Sequence, residues 1–358
     1  MATEQILQQM AELVTAWYRQ NGRDLPWRRT KNAYYIWISE IMLQQTQVET
    51  VKPYYERFIR MLPEVSDLAS ADQTTVYKLW EGLGYYRRAS HLQEAARTVM
   101  TEYEGVFPRT YEELIELKGI GMYTASAIAS IAYGIPKGVV DGNTLRIIAR
   151  VFNREDNIAL QKTKNEFGKI MDAIIVYSDP SDFNQGMMDL GAMVCTPLRP
   201  GCGKCPLNTL CEGYRLQTAG RLPVNIKKVN KSVIEYMTVV LRNEGRYFMI
   251  QNEGGLLENL YGFVQYECDT PSEFEQQFYE QYGLRIRLTD YIKDVRHVFT
   301  HREWRMHVYS AEPEPGEEEK DAVFDGQSAR FYLPEEIEQL PVPTAHLKVL
   351  KAYLKSIS

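Results

Sequence analysis

The sequence predicts two domains, an all-α domain followed by a smaller α+β domain. Up to about Cys211, apolar residues recur at intervals of three and four, the spacing typical of amphipathic helices. Beyond Ser232, short segments rich in β-branched and aromatic residues replace this spacing and predict strands. With 358 residues, the chain is long enough for two hydrophobic cores. We expect domains at 1–217 and 233–358, joined by a polar, basic linker at 218–232 that lacks periodicity.

Short polar or proline-containing breaks divide the helical domain at Asn21-Gly22, Leu62-Pro63 and Phe107-Pro108. In the second domain, one helix lies between strands, and Asn243–Gly245 predicts a hairpin turn. The predicted helices are Ile6–Tyr18, Ile36–Phe58, Thr75–Leu83, His91–Tyr103, Tyr111–Tyr133 and Ser272–Tyr282, and the predicted strands are Tyr236–Leu241, Tyr247–Gln251, Arg285–Leu288 and Met306–Ser310.

The net charge of −6 hides a difference between the two halves of the chain. Residues 1–232 carry 28 Lys and Arg against 25 Asp and Glu, whereas residues 233–358 carry 13 against 22. Between Cys195 and Lys231, Glu212 is the one acid among seven basic residues. This local excess suits phosphates, although a solvated basic linker explains it equally well. Because no stretch resembles a signal peptide or a membrane span, we expect a cytoplasmic protein without membrane association.

Four of the five cysteines lie close together, with the spacing Cys195-x6-Cys202-x2-Cys205-x5-Cys211. Disulfides are not expected in a cytoplasmic protein. Structural zinc sites usually combine two Cys-x2-Cys pairs, whereas this stretch has one such pair with wider spacings on both sides. The spacing therefore favours an iron–sulfur cluster over zinc, and zinc remains the alternative.

The segment Leu117–Ala125 places two glycines, Gly119 and Gly121, on either side of one apolar residue. Such a turn is tight and nearly free of side chains, so its backbone N–H groups can bind a phosphate at the start of the next helix. A carboxylate, Asp141, follows one helix length downstream. This layout resembles that of helix-hairpin-helix DNA glycosylases, in which a turn of this kind holds the DNA backbone and an acid acts on the sugar.

Ser39–Thr46 is interpreted as the opening of a helix, with Glu40 near its start among apolar neighbours. Desolvation there raises the pKa of a carboxyl group and makes it a candidate general acid. The structural alternative is a first-turn acid favoured by the helix dipole. The adjacent Gln45 and Thr46 carry polar side chains that are able to enter a base stack.

The segment Glu81–Arg88 places Leu83 and Tyr85 on a glycine-containing turn that two arginines follow. Such a turn can wedge into a duplex while the arginines hold phosphates. A helix end packed by tyrosines explains the same pattern equally well.

Together these segments resemble the adenine DNA glycosylase (MutY) family over nearly the whole chain. Further matches are Arg23–Arg28, Phe183–Gln185 and Phe299–His301. The resemblance implies that adenine mispaired with 8-oxoguanine or guanine is flipped out of double-stranded DNA and excised. It also implies a [4Fe–4S] cluster on the four clustered cysteines, and a monomer suits an enzyme that scans DNA.

By this resemblance, Glu40 protonates adenine and later activates water, while Asp141 stabilises the cationic sugar. Tyr123 and Asn143 orient Asp141 and the reaction centre. Relatives of the endonuclease III type carry a lysine at the position of Tyr123, and a phenol cannot form their Schiff base, so we expect an abasic site as the product. The other implied contacts are Arg23, Trp27, Arg28 and Gln185 in the adenine pocket, Leu83 and Tyr85 as the wedge, Gln45 and Thr46 at the gap and the oxidised base, and Gly119 and Gly121 at the DNA backbone.

The second domain resembles the Nudix-like domain with which this family inspects the opposite base, through Phe299, Thr300 and His301. Of the glutamates that hold metal in Nudix hydrolases, Gln276–Leu284 keeps Glu280, which is too little for Mg²⁺. We therefore expect recognition without hydrolysis. Two departures affect discrimination of 8-oxoguanine: Thr300 replaces the family's serine, and Leu260–Val264 differs from Leu-Trp-x-Phe-Pro.

Two other functions fit part of the sequence. A pyrimidine-specific glycosylase/lyase of the endonuclease III type is disfavoured by Tyr123, Gln185 and the second domain. A catalytically silent, DNA-binding iron–sulfur protein is disfavoured by the pair Glu40 and Asp141. A ferredoxin-like electron carrier fits least, since such proteins are small and lack this carboxylate pair.

Overall fold

The computed structural model describes residues 4–226, 232–299, 302–317, 322–324 and 327–357. Its internal contacts divide the chain into two compact units. The first unit contains Met1–Ala71 and Arg87–Lys228, and the second contains Asp72–Tyr86 and Val229–Ser358. None of the helices in the described part of the chain combines the length and apolar character needed to cross a bilayer.

The first unit is helical, as the sequence predicts. Polar side chains cap the N-terminal ends of several helices and bind their first N–H groups, as Asn32, Asp141 and Asp179 do. The helices up to Arg215 are α1 (Glu4–Asn21), α2 (Ala33–Leu43), α3 (Val48–Met61), α4 (Val65–Ser70), α5 (Gln73–Trp80), α6 (Arg87–Glu102), α7 (Tyr111–Glu116), α8 (Met122–Tyr133), α9 (Gly142–Val151), α10 (Gln161–Ile175), α11 (Pro180–Met193) and α12 (Glu212–Arg215).

A hydrophobic core between α1, α9, α10 and α11 positions the start of α9. Met10, Ile148, Phe167, Phe183 and Leu190 are buried in it. Burying a side chain of this size contributes about 1.5–3 kcal/mol. Helix α8 packs against both α2 and α11, which brings together the helices that carry Glu40, Tyr123 and Gln185.

The prediction of one helix over Ile36–Phe58 is wrong. The structure has two helices here, α2 and α3, joined by a turn at residues 44–47. Gln45 adopts a φ of +59° in this turn, a left-handed conformation that ends regular helix geometry. The apolar spacing continues across the turn because both helices turn apolar faces inward, so periodicity does not reveal the break.

The second unit contains the mixed sheet of the predicted α+β domain. Its strands follow the order β5-β6-β1-β2-β8-β7, with β3 beside β2 and β4 beside β1, and β1 runs parallel to β6. The elements are β1 (Ser232–Asn243), β2 (Arg246–Gln251), β3 (Tyr261–Gly262), β4 (Val264–Tyr266), α13 (Pro271–Tyr282), β5 (Ile286–Val298), β6 (Arg302–Pro313), β7 (Ala322–Phe324), β8 (Gln327–Tyr332), α14 (Pro334–Ile337) and α15 (Thr344–Ser356).

The predicted turn Asn243–Gly245 joins β1 and β2, with positive φ at Glu244 and Gly245. Aromatic side chains of α13, Phe274 and Phe278, pack into a core with Phe248 of β2. The strand β8 and the helix α15 have no counterpart among the predicted elements.

Helix α5 and the turn after it, residues 72–86, belong to the second unit although they precede α6 in the chain. These residues fall inside the stretch 1–217 that the sequence analysis assigns to the helical domain. The limits 1–217, 218–232 and 233–358 remain predictions.

Candidate active site

Glu40 lies in the last turn of α2, with 4% of its surface exposed. The prediction that it lies near a helix start is wrong, because α2 begins at Ala33 and is capped there by Asn32. A first-turn acid favoured by the helix dipole therefore does not describe this residue. Burial raises the pKa of Glu40 to about 7, the direction predicted for a desolvated carboxyl group.

The carboxyl group of Glu40 is paired with Tyr123, the second residue of α8. Tyr123 Oη donates a hydrogen bond to Glu40 Oε2 over 2.6 Å. Burial raises the pKa of Tyr123 well above its ordinary value, so the phenol keeps its proton and acts as the donor. This hydrogen bond opposes the effect of burial on the pKa of Glu40, and the positive charge of Arg28 acts in the same direction as the hydrogen bond.

Asp141 is the N-cap of α9, and three donors hold its carboxylate. Oδ1 accepts from the backbone N–H groups of Asn143 at 3.0 Å and Thr144 at 2.8 Å. Oδ2 accepts from Nδ2 of Asn143 at 2.8 Å. Burial raises the pKa of Asp141 above its ordinary value, while these hydrogen bonds act in the opposite direction. Asn143 thus fixes Asp141, whereas the hydroxyl group of Tyr123 binds Glu40.

The structure brings Glu40, Tyr123, Asp141 and Arg28 into one electrostatic group. The charge of Asp141 raises the pKa values of both Glu40 and Tyr123, and Arg28 lowers them. Two carboxyl groups that interact electrostatically with each other, with one phenol and with one guanidinium can hold different numbers of protons at neutral pH. The arrangement can therefore supply an acid and an anion at the same time.

Asp189, on α11, is a residue of this site that the sequence analysis missed. Its side chain is fully buried and accepts from Arg28 Nη1 at 2.5 Å and Nη2 at 2.9 Å. It also accepts from Arg23 Nε at 2.7 Å and from the Arg23 backbone N–H at 2.9 Å. Burial acts to raise the pKa of Asp189, but the hydrogen bonds from Arg28 and Arg23 hold it below its ordinary value. Its spacing of four residues from Gln185 on one helix was the available signal.

The other two residues assigned to the adenine pocket are buried in the first unit. The ring of Trp27 packs edge-to-face on Tyr55, with centroids 5.3 Å apart. Gln185 Nε2 donates to Ser181 Oγ over 2.9 Å. This bond turns the Gln185 amide toward the first turn of its own helix, α11.

The predicted hairpin lies between α7 and α8, so the prediction of one helix over Tyr111–Tyr133 is wrong. Gly119 adopts a φ of +76°, and a β-carbon there would come within 2.8 Å of His91 Cβ, so glycine is required. Gly121 is the N-cap of α8, and the space around its Cα is open. The N–H groups at the start of α8 are therefore accessible to an anion.

Arg88, on α6, holds the turn that carries Gln45 and Thr46. Its Nη1 donates to the carbonyl oxygens of Ile41 at 2.8 Å and Gln44 at 2.6 Å. Gln45 is exposed, while Thr46 is partly buried within reach of Arg88. The C-terminal end of α2, where Glu40 lies, is thus fixed by a cation on a neighbouring helix.

The predicted DNA contacts outside this site belong to the second unit. Leu83 is 5% exposed, whereas Tyr85 is 46% exposed with a φ of +52°. The backbone N–H of Phe299 donates to the carbonyl oxygen of Arg302 over 2.7 Å. Thr300 and His301 lie outside the described residues.

The four clustered cysteines are unpaired, partly buried and line one cavity, together with Arg150. Arg150 Nη1 lies 3.2 Å from Cys195 Sγ, and its guanidinium also donates to the carbonyl oxygens of Thr196 and Pro197. Burial raises the pKa of Cys205 to about 12. Within the described ranges, no three His, Cys, Asp or Glu side chains are placed to hold a metal ion.

A chain of hydrogen bonds joins the cysteine segment to the active-site aspartate. Arg146, on α9, donates from Nη2 to Asn143 Oδ1 at 2.9 Å and from Nε to the carbonyl oxygen of Cys195 at 2.7 Å. Asn143 in turn binds Asp141. Gly191 permits this contact, because a β-carbon there would lie 2.5 Å from Asn143 Cβ.

Two family models match the chain. Residues 38–172 match the model described as HhH-GPD superfamily base excision DNA repair protein, and residues 236–352 match the NUDIX domain. An adenine DNA glycosylase of Rattus norvegicus is 34% identical over 94% of this chain and 76% of its own length. This chain belongs to the adenine DNA glycosylase family. Membership confirms the predicted resemblance, the two-domain fold class and the enzyme class, a DNA glycosylase.

Other relatives support this membership. An adenine DNA glycosylase of Mus musculus is 46% identical over 58% of this chain, and the chain spans 42% of the mouse protein's length. Among solved structures, a thermostable thymine-DNA glycosylase superimposes with a TM-score of 0.56 at 30% identity. That match covers 60% of this chain and 100% of the solved chain. This chain, whose relatives are named for adenine, therefore shares its helical fold with a glycosylase that is named for thymine.

Glu280, the glutamate that the Nudix-like domain keeps from the metal-binding set of Nudix hydrolases, lies on the exposed side of α13. Glu280 accepts a hydrogen bond from Gln276 over 2.9 Å. The opposite side of α13 carries the buried ring of Phe278. Recognition without hydrolysis remains a prediction for this domain.

Proposed function

We propose that this protein excises adenine that is mispaired with 8-oxoguanine or guanine in double-stranded DNA. The proposal is carried by one observation: the buried Glu40, whose pKa is raised to about 7, interacts electrostatically with Asp141, whose carboxylate is the N-cap of α9. The names of the rat and mouse relatives support adenine as the base that is removed.

The reaction begins when adenine is flipped out of the duplex, which costs a few kcal/mol and least at a mispair. With a pKa of about 7, Glu40 is about half protonated at neutral pH and can act as a general acid. It donates its proton to a ring nitrogen on the imidazole side of adenine. The bond between the base and the sugar then breaks, and its electron pair leaves with the base as neutral adenine.

The sugar left behind is an oxocarbenium-like cation. The carboxylate of Asp141 stabilises this charge, directly or through a transient bond to the anomeric carbon. Asn143 and the N–H groups of α9 keep the carboxylate in place. Water then adds to the anomeric carbon and gives its proton to Glu40, which restores both carboxyl groups and leaves an abasic site.

We expect the DNA strand to stay intact after excision. A lyase needs an amine that forms a Schiff base with the sugar, and the residue beside Glu40 is a phenol, Tyr123. The nearby Lys118 lies within 3.7 Å of Glu94, so weak trapping through Lys118 is the first alternative to examine if cleavage occurs.

The test is single-turnover excision on a duplex with one adenine opposite 8-oxoguanine, quenched with and without hot alkali. Strand cleavage only after alkali supports a monofunctional adenine glycosylase. Cleavage without alkali contradicts that assignment and favours a lyase of the endonuclease III type. Tight binding without any excision contradicts the proposed function and favours a DNA-binding protein without activity.

We also propose that Cys195, Cys202, Cys205 and Cys211 hold a [4Fe–4S] cluster. Four thiols around one cavity, with the cation of Arg150 beside one of them, fit a group that carries thiolate charge. Such a cluster would order the cysteine segment, so that Arg199 and Lys204 can contact phosphates. Iron, sulfide and zinc analysis with visible absorption tests this: iron and sulfide in equal amounts are expected, and one zinc per chain contradicts it.

The substitution Cys202→Ser tests the proposed structural role of the cluster. We expect lower iron content, a lower melting temperature and weaker duplex binding together. If the weaker binding showed an unchanged dependence on salt, the proposed phosphate contacts would be wrong. Location in the cytoplasm and a monomeric state also remain proposals.

A further inference from the structure

Helix α5 is fastened to the segment 340–342, which joins α14 and α15 within the second unit. Lys78 Nζ donates to the carbonyl oxygen of Leu340 over 3.2 Å. Glu81 Oε1 accepts from the backbone N–H of Val342 over 3.2 Å, and Glu81 Oε2 pairs with Lys78 Nζ at 2.7 Å. Two side chains of α5 therefore bind two backbone groups of one short segment.

The sequence of this segment makes the contact to Glu81 specific. Residues 341–343 read Pro-Val-Pro, so Val342 provides the one backbone N–H donor of the three. Pro341, Val342 and Pro343 are all buried. A buried N–H group without a partner is costly, whereas the pair between Lys78 and Glu81 is partly exposed to water, which weakens it. The bond from Val342 to Glu81 is thus the stronger part of the link.

The same segment also forms a hydrogen bond with the sheet. The backbone N–H of Tyr261, at the start of β3, donates to the carbonyl oxygen of Pro341 over 3.1 Å. Tyr261 lies in Leu260–Val264, one of the two segments in which this chain departs from the family pattern. The segment 340–342 therefore connects α5 to a strand of the Nudix-like sheet.

The turn predicted to probe DNA begins directly after Glu81, which is the C-cap of α5. The backbone N–H of Leu83 donates to the carbonyl oxygen of Trp80 at 3.0 Å, and Trp80 Nε1 donates to that of Gly84 at 3.1 Å. These bonds tie the turn to the last residue of α5. Tyr85 projects from the turn with 46% of its surface exposed.

We propose that Glu81 is a positioning residue that couples this turn to the opposite-base domain. Through its hydrogen bond from Val342, Glu81 keeps the turn Gly82–Tyr86 in a fixed position relative to the Nudix-like sheet. Recognition of the opposite base and insertion of Tyr85 therefore occur together. The inference rests on the proposed function for its consequence in catalysis, but the link itself does not depend on the substrate. Glu81 touches neither the base nor the reacting sugar in this scheme.

The test compares Glu81→Ala and Glu81→Gln with a matched control, Glu49→Ala. Gln keeps an oxygen that can accept from Val342, whereas Ala does not. Glu49 forms the same kind of pair, three residues from Lys52 on the exposed side of α3, and lies in the first unit. All three proteins are prepared as the full chain.

The first measurement is amide hydrogen exchange at Val342, which needs no DNA. We expect the exchange rate to rise about tenfold in Glu81→Ala, corresponding to about 1.4 kcal/mol, with little change in Glu81→Gln and Glu49→Ala. An unchanged rate in Glu81→Ala overturns the link.

The second measurement is the single-turnover excision rate opposite 8-oxoguanine and opposite guanine. We expect Glu81→Ala to reduce the rate opposite 8-oxoguanine about tenfold and to lower the ratio between the two substrates, with Glu81→Gln restoring most of it. An equal loss on both substrates, matching a loss of folded protein in thermal unfolding, overturns the coupling. If the wild-type protein excises no adenine while Val342 behaves as expected, the proposed function fails and the link remains.

Discussion

Glu40 lies at the end of α2, whereas Asp141 lies at the start of α9. The C-terminal end of a helix carries partial negative charge and disfavours a carboxylate, while the N-terminal end favours one. Among the described residues, one group donates a hydrogen bond to the carboxyl group of Glu40, the phenol of Tyr123, whereas three groups donate to that of Asp141. Two carboxyl groups of similar chemistry are thus placed in opposite surroundings.

This difference separates the tasks of the two carboxyl groups. Burial raises the pKa of each, and the increase is opposed by the hydrogen bond from Tyr123 at Glu40 and by the hydrogen bonds from Asn143 and Thr144 at Asp141. In the proposed mechanism, Glu40 gives a proton near pH 7, while Asp141 acts as the anion.

The sharpest way to break this comparison is Glu40→Gln. We expect the excision rate to fall by about 10²–10⁴-fold, because a general acid is removed while the shape of the side chain and the contact to Tyr123 are kept. Single-turnover excision and duplex affinity are measured together. An unchanged excision rate would sink the proposed mechanism.

The same variant tests the raised pKa in a second way. Between an unfolded pKa of about 4.5 and a folded pKa of about 7, the native wild-type protein holds a proton that the unfolded chain has lost, so wild-type stability falls as the pH rises through this range. Gln does not titrate. We expect the free energy of unfolding of Glu40→Gln, relative to wild type, to rise by about 3 kcal/mol from pH 4 to pH 8.

Asp141→Asn should lower the excision rate by about 10²–10³-fold, because the charge that stabilises the sugar is lost. Asn caps helices about as well as Asp, so the melting temperature should change little. Asp141→Ala serves as the comparison, since it loses the cap as well and about 1 kcal/mol of stability. If Asn and Ala were equally destabilising, the capping role of Asp141 would be wrong.

Asp189→Asn leaves Arg23 and Arg28 without their buried counter-ion. We expect a loss of about 3–5 kcal/mol of stability, read by denaturant unfolding. The unbalanced charge of Arg28 should also favour the Glu40 carboxylate, so the high-pH limb of the excision profile should move to lower pH. A limb that moves to higher pH would contradict the electrostatic link between Asp189 and Glu40.

Tyr123→Phe gives the smallest expected effect and sharpens the comparison most finely. Removing the hydrogen bond to the carboxylate should raise the pKa of Glu40 further. Because excision needs protonated Glu40, the high-pH limb should move upward by about one pH unit, while the rate at pH 6 stays close to wild type. The pH profile of single-turnover excision measures this shift, and a downward shift would show that the phenol does not act on Glu40.

Local features of the sequence were enough for several parts of the site. Gly119 and Gly121 predict a tight turn before a helix, and Asp141 lies at a position where a helix cap is expected. These depend on backbone geometry within a few residues, which residue type controls directly. The spacing of the cysteines is likewise readable without a fold.

The position of Glu40 shows where local reading fails. Ser39 and the apolar residues after it look like a helix start, yet Asn32 caps the helix seven residues earlier. A buried helix is apolar on several sides, so its periodicity does not mark its ends. The cap at Asn32 was the signal that could have placed Glu40 correctly.

The sequence by itself therefore determined the two-domain fold class, the hairpin and the grouping of the cysteines, and it predicted Glu40 and Asp141 as the two carboxyl groups of the site. Tertiary structure decided that Asp189 neutralises Arg28, that Arg88 holds the end of α2, and that α5 joins the second unit through Glu81. The partners in these contacts are separated by 161, 44 and 261 positions along the chain. Pairings at such separations follow from the packing of whole helices and sheets, which no local pattern of residue types records.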